Sequence, residues 1–245
     1  EIFTTLGYTP IKRYPVVARW RDDTDFVQAS IYDFQPYVVS GEVAPPANPL
    51  VVPQFCLRFN DVDNVGITGS HFTGFVMIGQ HSFQPPETWD QACYFRDIHH
   101  WLTAGLGLTN NDIVFHEDAW AGGGNFGPCM EFFSNGLELG NQVYMMFEQT
   151  PEGPKELKLK VLDMGMGHER NAWFSQAKAT SYEATFPAVM EKLRERTGLV
   201  SDEDIWRRFI PYAGYLNADE TESLDAAWNM IAGSTGIEVD ALKKE

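Results

Sequence analysis

Val161-Leu-Asp-Met-Gly-Met-Gly-His-Glu-Arg-Asn-Ala-Trp173 is the stretch on which the reading of this chain turns. It begins apolar and β-like, places one carboxylate at Asp163, breaks at Gly165 and Gly167, and resumes as a helix opening with Glu169 and Arg170. Glycines at such a break let the backbone come close to a ligand. An arginine there meets a phosphate or lies flat on a base. A strand carboxylate a few residues earlier can hold an ammonium group. Together these groups point to an amino acid bound beside a nucleotide. The plain alternative is an ordinary strand–helix turn, for which Gly-x-Gly is common. The stretch is not a Rossmann fingerprint, because no third glycine follows, and not a P-loop, because no Gly-Lys-Ser/Thr follows.

The bulk of the chain bounds what surrounds that stretch. Its 245 residues, 44% hydrophobic and 13% aromatic, suffice for one large domain, or a large one with a small one. A net charge of −16 argues against an extensive nucleic-acid surface, which needs a basic patch. DNA is therefore not expected as a partner. The basic strips Lys155 to Lys160, and Lys192 to Arg196 with Arg207 and Arg208, read as solvated faces. Cys56, Cys93 and Cys129 are far apart, with no CxxC pair, and the six histidines include no HExxH spacing. That fits a reducing, cytoplasmic setting and predicts no metal site built from this chain. No apolar run reaches membrane-spanning length and no signal peptide is visible, so no membrane is expected. The chain opens on Glu1 rather than Met, and Glu1 to Gly7 reads as the end of a helix already under way. A piece of a longer protein is therefore expected.

Along the chain, Val38–Val43 and Leu50–Phe59 read as strands among prolines, Asn60–Ser70 as a polar loop, and His71–Phe83 as a returning antiparallel strand. Trp89–Leu106 has helical periodicity. Ile113–Glu117, Met130–Phe133, Gln142–Glu148 and Leu157–Leu162 read as strands, with a glycine-rich segment at Ala121–Pro128 and a hairpin turn at 150–155. Tyr182–Arg196, Asp202–Ile210, Leu224–Ile231 and Ser234–Glu245 read as helices. The fold class is α+β: a mostly antiparallel sheet flanked by helices over 1–178, then a small all-helical segment over 179–245.

Two further segments set polar groups into apolar strands. Arg58 follows a buried-looking strand and needs an anion, either Asp61 or Asp63 at the loop mouth or a bound phosphate. Phe75, on the return strand, either stacks on a base or belongs to the core. Trp120, beside Gly122-Gly-Gly-Asn125, either walls a small pocket or is simply packed against a flexible turn.

Read in order, the chain resembles the catalytic domain of alanyl-tRNA synthetases of the archaeal type, which are class II aminoacyl-tRNA synthetases. The stretches that carry the resemblance are Arg13-Tyr-Pro-Val-Val-Ala-Arg-Trp-Arg-Asp-Asp23, Ala29-Ser-Ile31 with Asp33-Phe-Gln-Pro36, and Pro45-Pro-Ala-Asn-Pro-Leu50. Arg58-Phe-Asn-Asp-Val-Asp-Asn-Val-Gly66, Gly122-Gly-Gly-Asn125 and 161–173 complete them. The match is collinear from residue 10 to about residue 190. The resemblance implies a class II synthetase sheet, with the helical segment as the start of a tRNA-recognition domain. It implies that Arg58 binds the α-phosphate of ATP, that Phe75 lies under the adenine, and that Arg170 lies on the other adenine face near the γ-phosphate. It implies that Asp163 takes the alanine ammonium, that Trp120 lines the side-chain pocket, and that Asn141 falls at a pocket position. His71 and His81 lie in matching stretches without an assigned role. ATP, Mg²⁺, alanine and the acceptor end of tRNA(Ala) are the implied cofactors and partners. The zinc-holding editing domain of the family has no ligand set in this chain. Ser70, Val76 and Met164 depart from the family's frequent Arg, Glu and Thr and read as variation within the lineage: Ser70 removes a cation that could touch the triphosphate, Val76 removes a carboxylate beside the adenine, and Met164, beside Asp163, could reshape the substrate pocket. Two other functions remain compatible with these residues: a stand-alone relative that loads an amino acid onto a carrier protein or small molecule, and a non-catalytic nucleotide binder.

Overall fold

The structure, a computed structural model, describes residues 1–60, 62–200, 202–216 and 223–244. The chain divides into two compact units: Glu1–Leu57 with Gly74–His168, and Arg58–Thr73 with Glu169–Glu245.

The first unit is built on a seven-stranded sheet of order β1-β2-β3-β7-β6-β5-β4. The strands are β1 (Thr9–Pro10), β2 (Leu50–Leu57), β3 (Gly74–Gln84), β4 (Val114–Gly122), β5 (Asn125–Ser134), β6 (Leu137–Thr150) and β7 (Gly153–Gly167). Every pairing is antiparallel except that of the short β1 with β2. β1 reaches only Leu50 and Val51, so Pro53 sits where β2 is the sheet edge, the place a strand tolerates a missing N–H. Helix α1 (Ile2–Thr5) precedes the sheet, and α2 (Gln91–His100) follows β3. The Asp90 carboxylate caps α2 by accepting the Cys93 N–H at 3.1 Å.

One face of this sheet packs Leu50, Val52, Phe83, Cys129, Val143, Met145 and Val161 against Ile31, Phe34, Val38 and Val39. Each such side chain contributes about 1.5–3 kcal/mol when fully buried. Val38–Val43, expected as a strand, is instead a run of tight turns, with the Val38 N–H donating to Phe34 O and the Ser40 N–H to Pro36 O. The apolar residues there cap the sheet rather than join it. On the other face Tyr144 and Leu162 meet Tyr94 of α2. The polar groups on that face pair with one another: Tyr144 Oη donates to Gln142 Oε1 at 2.8 Å and Gln142 Nε2 to Tyr94 O at 2.9 Å.

The second unit is helical. It contains α3 (His168–Gln176, apart from its first residue), α4 (Ser181–Thr185), α5 (Pro187–Thr197), α6 (Glu203–Phe209), α7 (Leu224–Thr235) and α8 (Val239–Lys244). Phe209, Ala213, Leu216, Ala227, Ile231 and Leu242 form its core. The helix expected over Tyr182–Arg196 is divided by Pro187. Phe186, just before that proline, takes φ −127°, outside the helical region as the proline ring demands. Gly198 then ends α5 at φ +68°. Ser201, 217–222 and Glu245, which the expected helices touch, lie outside the described residues.

Candidate active site

The expected break at Gly165 and Gly167 does not occur. β7 runs straight through both, and α3 begins at His168 with Glu169 and Arg170 in its first turn. Neither glycine has a positive φ, and at Gly165 the need is spatial. A Cβ at Gly165 would lie 2.9 Å from Met77 Sδ.

Strand register decides which side chains share a face, because alternate residues point the same way. One cross-strand row runs Leu50, His81, Asp163, Val143, Cys129, Asp118. The next runs Val52, Gly79, Gly165, Asn141, Glu131, His116. Asp163 and Asn141 are thus diagonal neighbours on one face. Phe75, four residues before Gly79 on β3, and Trp120, two residues after Asp118 on β4, belong to the same face. The structure therefore brings Phe75, Asp163, Asn141 and Trp120 onto one side of one sheet. Val76 and Met164 are each one residue out of phase and lie on the opposite side. Met164 is fully buried there, in register with Gln80 and Gln142. Met164 therefore does not share the face of Asp163, although it is adjacent in sequence.

Asp163 is 6% exposed. Burial pushes its carboxyl up to about 7, and no described basic side chain offsets that shift. His81, wholly buried, stands with Nδ1 3.5 Å from Asp163 Oδ1 and Nε2 3.0 Å from Ser30 Oγ. Burial pushes His81 down to about 3. The two groups lie at ion-pair distance, yet burial leaves the imidazole neutral at physiological pH. The contact is that of a neutral ring with a carboxyl group near its midpoint, and a cation arriving at Asp163 would favour the carboxylate. Phe34 packs edge-on to the His81 ring at 5.2 Å between centroids. A Cβ at Gly79 would collide with Ser30 and lie 2.5 Å from His81 Nε2, so only glycine fits beneath this contact.

Trp120 is half-buried against the apolar face. The hairpin that carries it turns at Gly123 and Gly124, φ +57° and +82°, a two-residue turn that needs left-handed backbone at both positions. A Cβ at Gly122 would overlap the Trp120 ring, so the ring lies over that glycine. Gln35 pins the hairpin: its Nε2 donates to Asn125 Oδ1 at 2.7 Å, and its Oε1 accepts from Arg21 Nη1 at 3.0 Å. Arg21 is in turn held by Asp23 at 2.6 Å and stacks on the Tyr32 ring at 4.1 Å. Sequence reading missed Gln35, Ser30 and His81 as supports, because their partners stand 90, 51 and 82 residues away.

The second unit holds the two predicted arginines. Arg58 is half-buried at the start of the loop 58–73, which is closed by its own N–H donating to Thr73 O at 2.9 Å. Asp61, one of the carboxylates expected to pair with Arg58, lies outside the described residues. The loop is clamped by α4. Tyr182 Oη accepts from the Gly66 N–H at 2.8 Å and donates to His71 O at 2.7 Å, while the Ser181 N–H and Oγ both donate to Gly69 O at 2.8 and 2.7 Å. Arg170 is half-buried in the first turn of α3. Trp173, on the buried side of that helix, donates from Nε1 to Lys178 O at 2.6 Å.

The chain belongs to the tRNA synthetases of class II: the family described as tRNA synthetases class II (A) matches residues 1–209. The alanine–tRNA ligase of Methanocella arvoryzae is 56% identical over 249 residues, covering 99% of this chain and 28% of the relative. That of Methanothermobacter thermautotrophicus is 44% identical over 249 residues, covering 100% of this chain and 28% of the relative. The chain thus spans about 28% of the length of these curated relatives. Among solved structures, the pyrrolysyl-tRNA synthetase of Desulfitobacterium hafniense aligns with a TM-score of 0.47 and 12% identity, over 76% of this chain and 69% of that one. No helix among the described residues is long and apolar enough to cross a membrane.

Proposed function

We propose that this chain is the catalytic part of an alanine–tRNA ligase. The observation that carries the reading is the buried carboxyl of Asp163, paired with no lysine or arginine among the described residues and facing only the neutral His81 ring, on the same sheet face as Phe75, Asn141 and Trp120. In the first step a carboxylate oxygen of alanine attacks the α-phosphorus of ATP. The bond from that phosphorus to the bridging oxygen breaks, and pyrophosphate leaves. In the second step a terminal ribose hydroxyl of tRNA(Ala) attacks the acyl carbon, and AMP leaves.

Asp163 holds the ammonium of alanine and so orients its carboxylate. Trp120 and Asn141 bound the methyl group. Phe75 supports the adenine, about 13 Å along β3 from the Gly79 row, four residues at roughly 3.3 Å each. Arg58 and Arg170 take the phosphate charge, and these roles follow the family resemblance residue by residue. Catalysis is positioning with charge stabilisation, and no residue forms a covalent bond to the substrate. Mg²⁺, if carried in on the ATP phosphates, would supply charge neutralisation there beside Arg58 and Arg170. Among the described residues no group of three acidic, histidine or cysteine side chains could hold a metal ion. A pocket bounded this way discriminates against glycine or serine by only about 1–3 kcal/mol. The test is aminoacylation by the full-length protein: tRNA(Ala) is charged with alanine, and a folded protein that charges no tRNA contradicts the reading.

A further inference from the structure

Asp163 does not stand alone on its strand. We propose that Ser30 and His81 form a buried strut that fixes the Asp163 carboxylate, His81 Nδ1–H taking one oxygen and leaving the other for the amino-acid ammonium. The inference rests on the reading of Asp163 as the ammonium acceptor and adds to it a pair of positioning residues.

Three observations support it. Ser30 Oγ lies 3.0 Å from His81 Nε2, and the Ser30 N–H is itself held by Met77 Sδ at 3.4 Å. When the serine hydroxyl donates to Nε2, the single ring proton of a neutral imidazole resides on Nδ1. That Nδ1 is buried, meets no acceptor at hydrogen-bond geometry and stands 3.5 Å from Asp163 Oδ1, with the Leu162 backbone also interacting with the ring. An orphaned buried donor is costly, and a small rotation of the ionised carboxylate relieves it. The ring has no freedom to turn away, since Phe34 packs against its edge, and the site of Gly79 admits no side chain beside Nε2. An ammonium group and an N–H donor then grip opposite oxygens of one carboxylate, which fixes the direction in which the substrate carboxylate points.

The test uses the full-length protein and substitutions that divide the imidazole into its two ends. His81→Asn keeps an amide near Nδ1, and His81→Gln keeps one near Nε2. The expected result is an alanine KM raised by about tenfold or more in His81→Gln and His81→Leu, one charge-assisted hydrogen bond. His81→Asn should stay within about threefold, and the ATP KM within about twofold in all three. A His81→Gln with a wild-type alanine KM overturns the proposal, as does a His81→Asn as damaged as His81→Leu, which would mark a space-filling role. Should the leucine variant fail to fold, ¹⁵N NMR of the histidine ring decides in the native protein. The Nδ1–H tautomer with alanine bound supports the strut, and the Nε2–H tautomer overturns it. Asp163→Asn separates the two levels. An unchanged alanine KM there removes the ammonium reading itself, whereas a large loss there with indifference at His81 removes the strut alone.

Discussion

Replacing Asp163 by asparagine should make the protein more stable at alkaline pH and nearly blind to alanine. Burial raises the Asp163 carboxyl from its ordinary 3.8 to about 7, which at 1.36 kcal/mol per pH unit corresponds to about 4 kcal/mol. The sign follows from proton counting. Below pH 4 the carboxyl is protonated folded or unfolded, and its burial costs no ionisation. Between pH 4 and 7 the unfolded chain gives up the proton first, so stability falls as pH rises. Above 7 the full cost remains. Asparagine has the same shape and no such titration. The unfolding free energy of Asp163→Asn relative to wild type should therefore rise by about 4 kcal/mol between pH 4 and pH 8. His81, pushed down to about 3, has the opposite dependence: its contribution is present above pH 6.5 and lost as pH falls. It is present in both proteins, so the part set by burial drops out of the difference, while its contact with residue 163 at 3.5 Å leaves a coupling that is largest below pH 6.5. The alanine ammonium, by contrast, loses its partner. Removing one member of a buried charge pair costs about 2–5 kcal/mol, or roughly 30- to 4,000-fold in alanine kcat/KM. Urea denaturation at pH 4.5 and 8, with alanine kinetics on the same preparations, measures both effects. A variant with an alanine KM within threefold of wild type, or a stability difference independent of pH, refutes the reasoning.

The same titration predicts that alanine binds the ionised form of Asp163. The alanine Kd should rise about tenfold for each pH unit below 7, and calorimetry from pH 5.5 to 7.5 should show proton release on binding; a flat profile contradicts this. Gln35→Leu removes the hydrogen bonds that pin the Gly123-Gly124 turn and so frees Trp120. It should raise the alanine KM about tenfold with the ATP KM unchanged, and equal losses for both substrates would point to general damage. Tyr182→Phe leaves the Gly66 N–H and His71 C=O without their shared hydroxyl. It should destabilise the helical unit by about 1–3 kcal/mol and speed amide exchange at Gly66. Unchanged exchange would show that the clamp does not hold the loop.

Much of the sheet was legible because its strands carry local signals. β2, β3, β6 and β7 are runs of β-formers ended by turn residues, and the β6–β7 hairpin turns inside the expected 150–155. Asp163, Phe75, Asn141 and Trp120 are proposed from an ordered set of motifs, and the strand register places all four on one face of the sheet. The errors have physical causes. Val38–Val43 is apolar because it covers the sheet, and apolar content alone does not separate a covering turn from a strand. Gly165 and Gly167 read as breakers, yet both lie in an unbroken strand, where Met77 presses close on Gly165. Met164 drew attention by its closeness in sequence to Asp163, although adjacent strand residues face opposite sides. The Ser30–His81–Asp163 contact spans three distant segments. No local pattern marks it, and only the register of β3 with β7 brings it together.

The most direct measurement of the central claim is amino-acid-dependent exchange of labelled pyrophosphate into ATP by the full-length protein. Alanine should drive exchange, and glycine and serine should drive it more weakly, by the factors that about 1–3 kcal/mol allows. Asp163→Asn should lower alanine-driven exchange by the same roughly 30- to 4,000-fold. A folded, ATP-binding protein that shows no exchange with alanine would contradict the account.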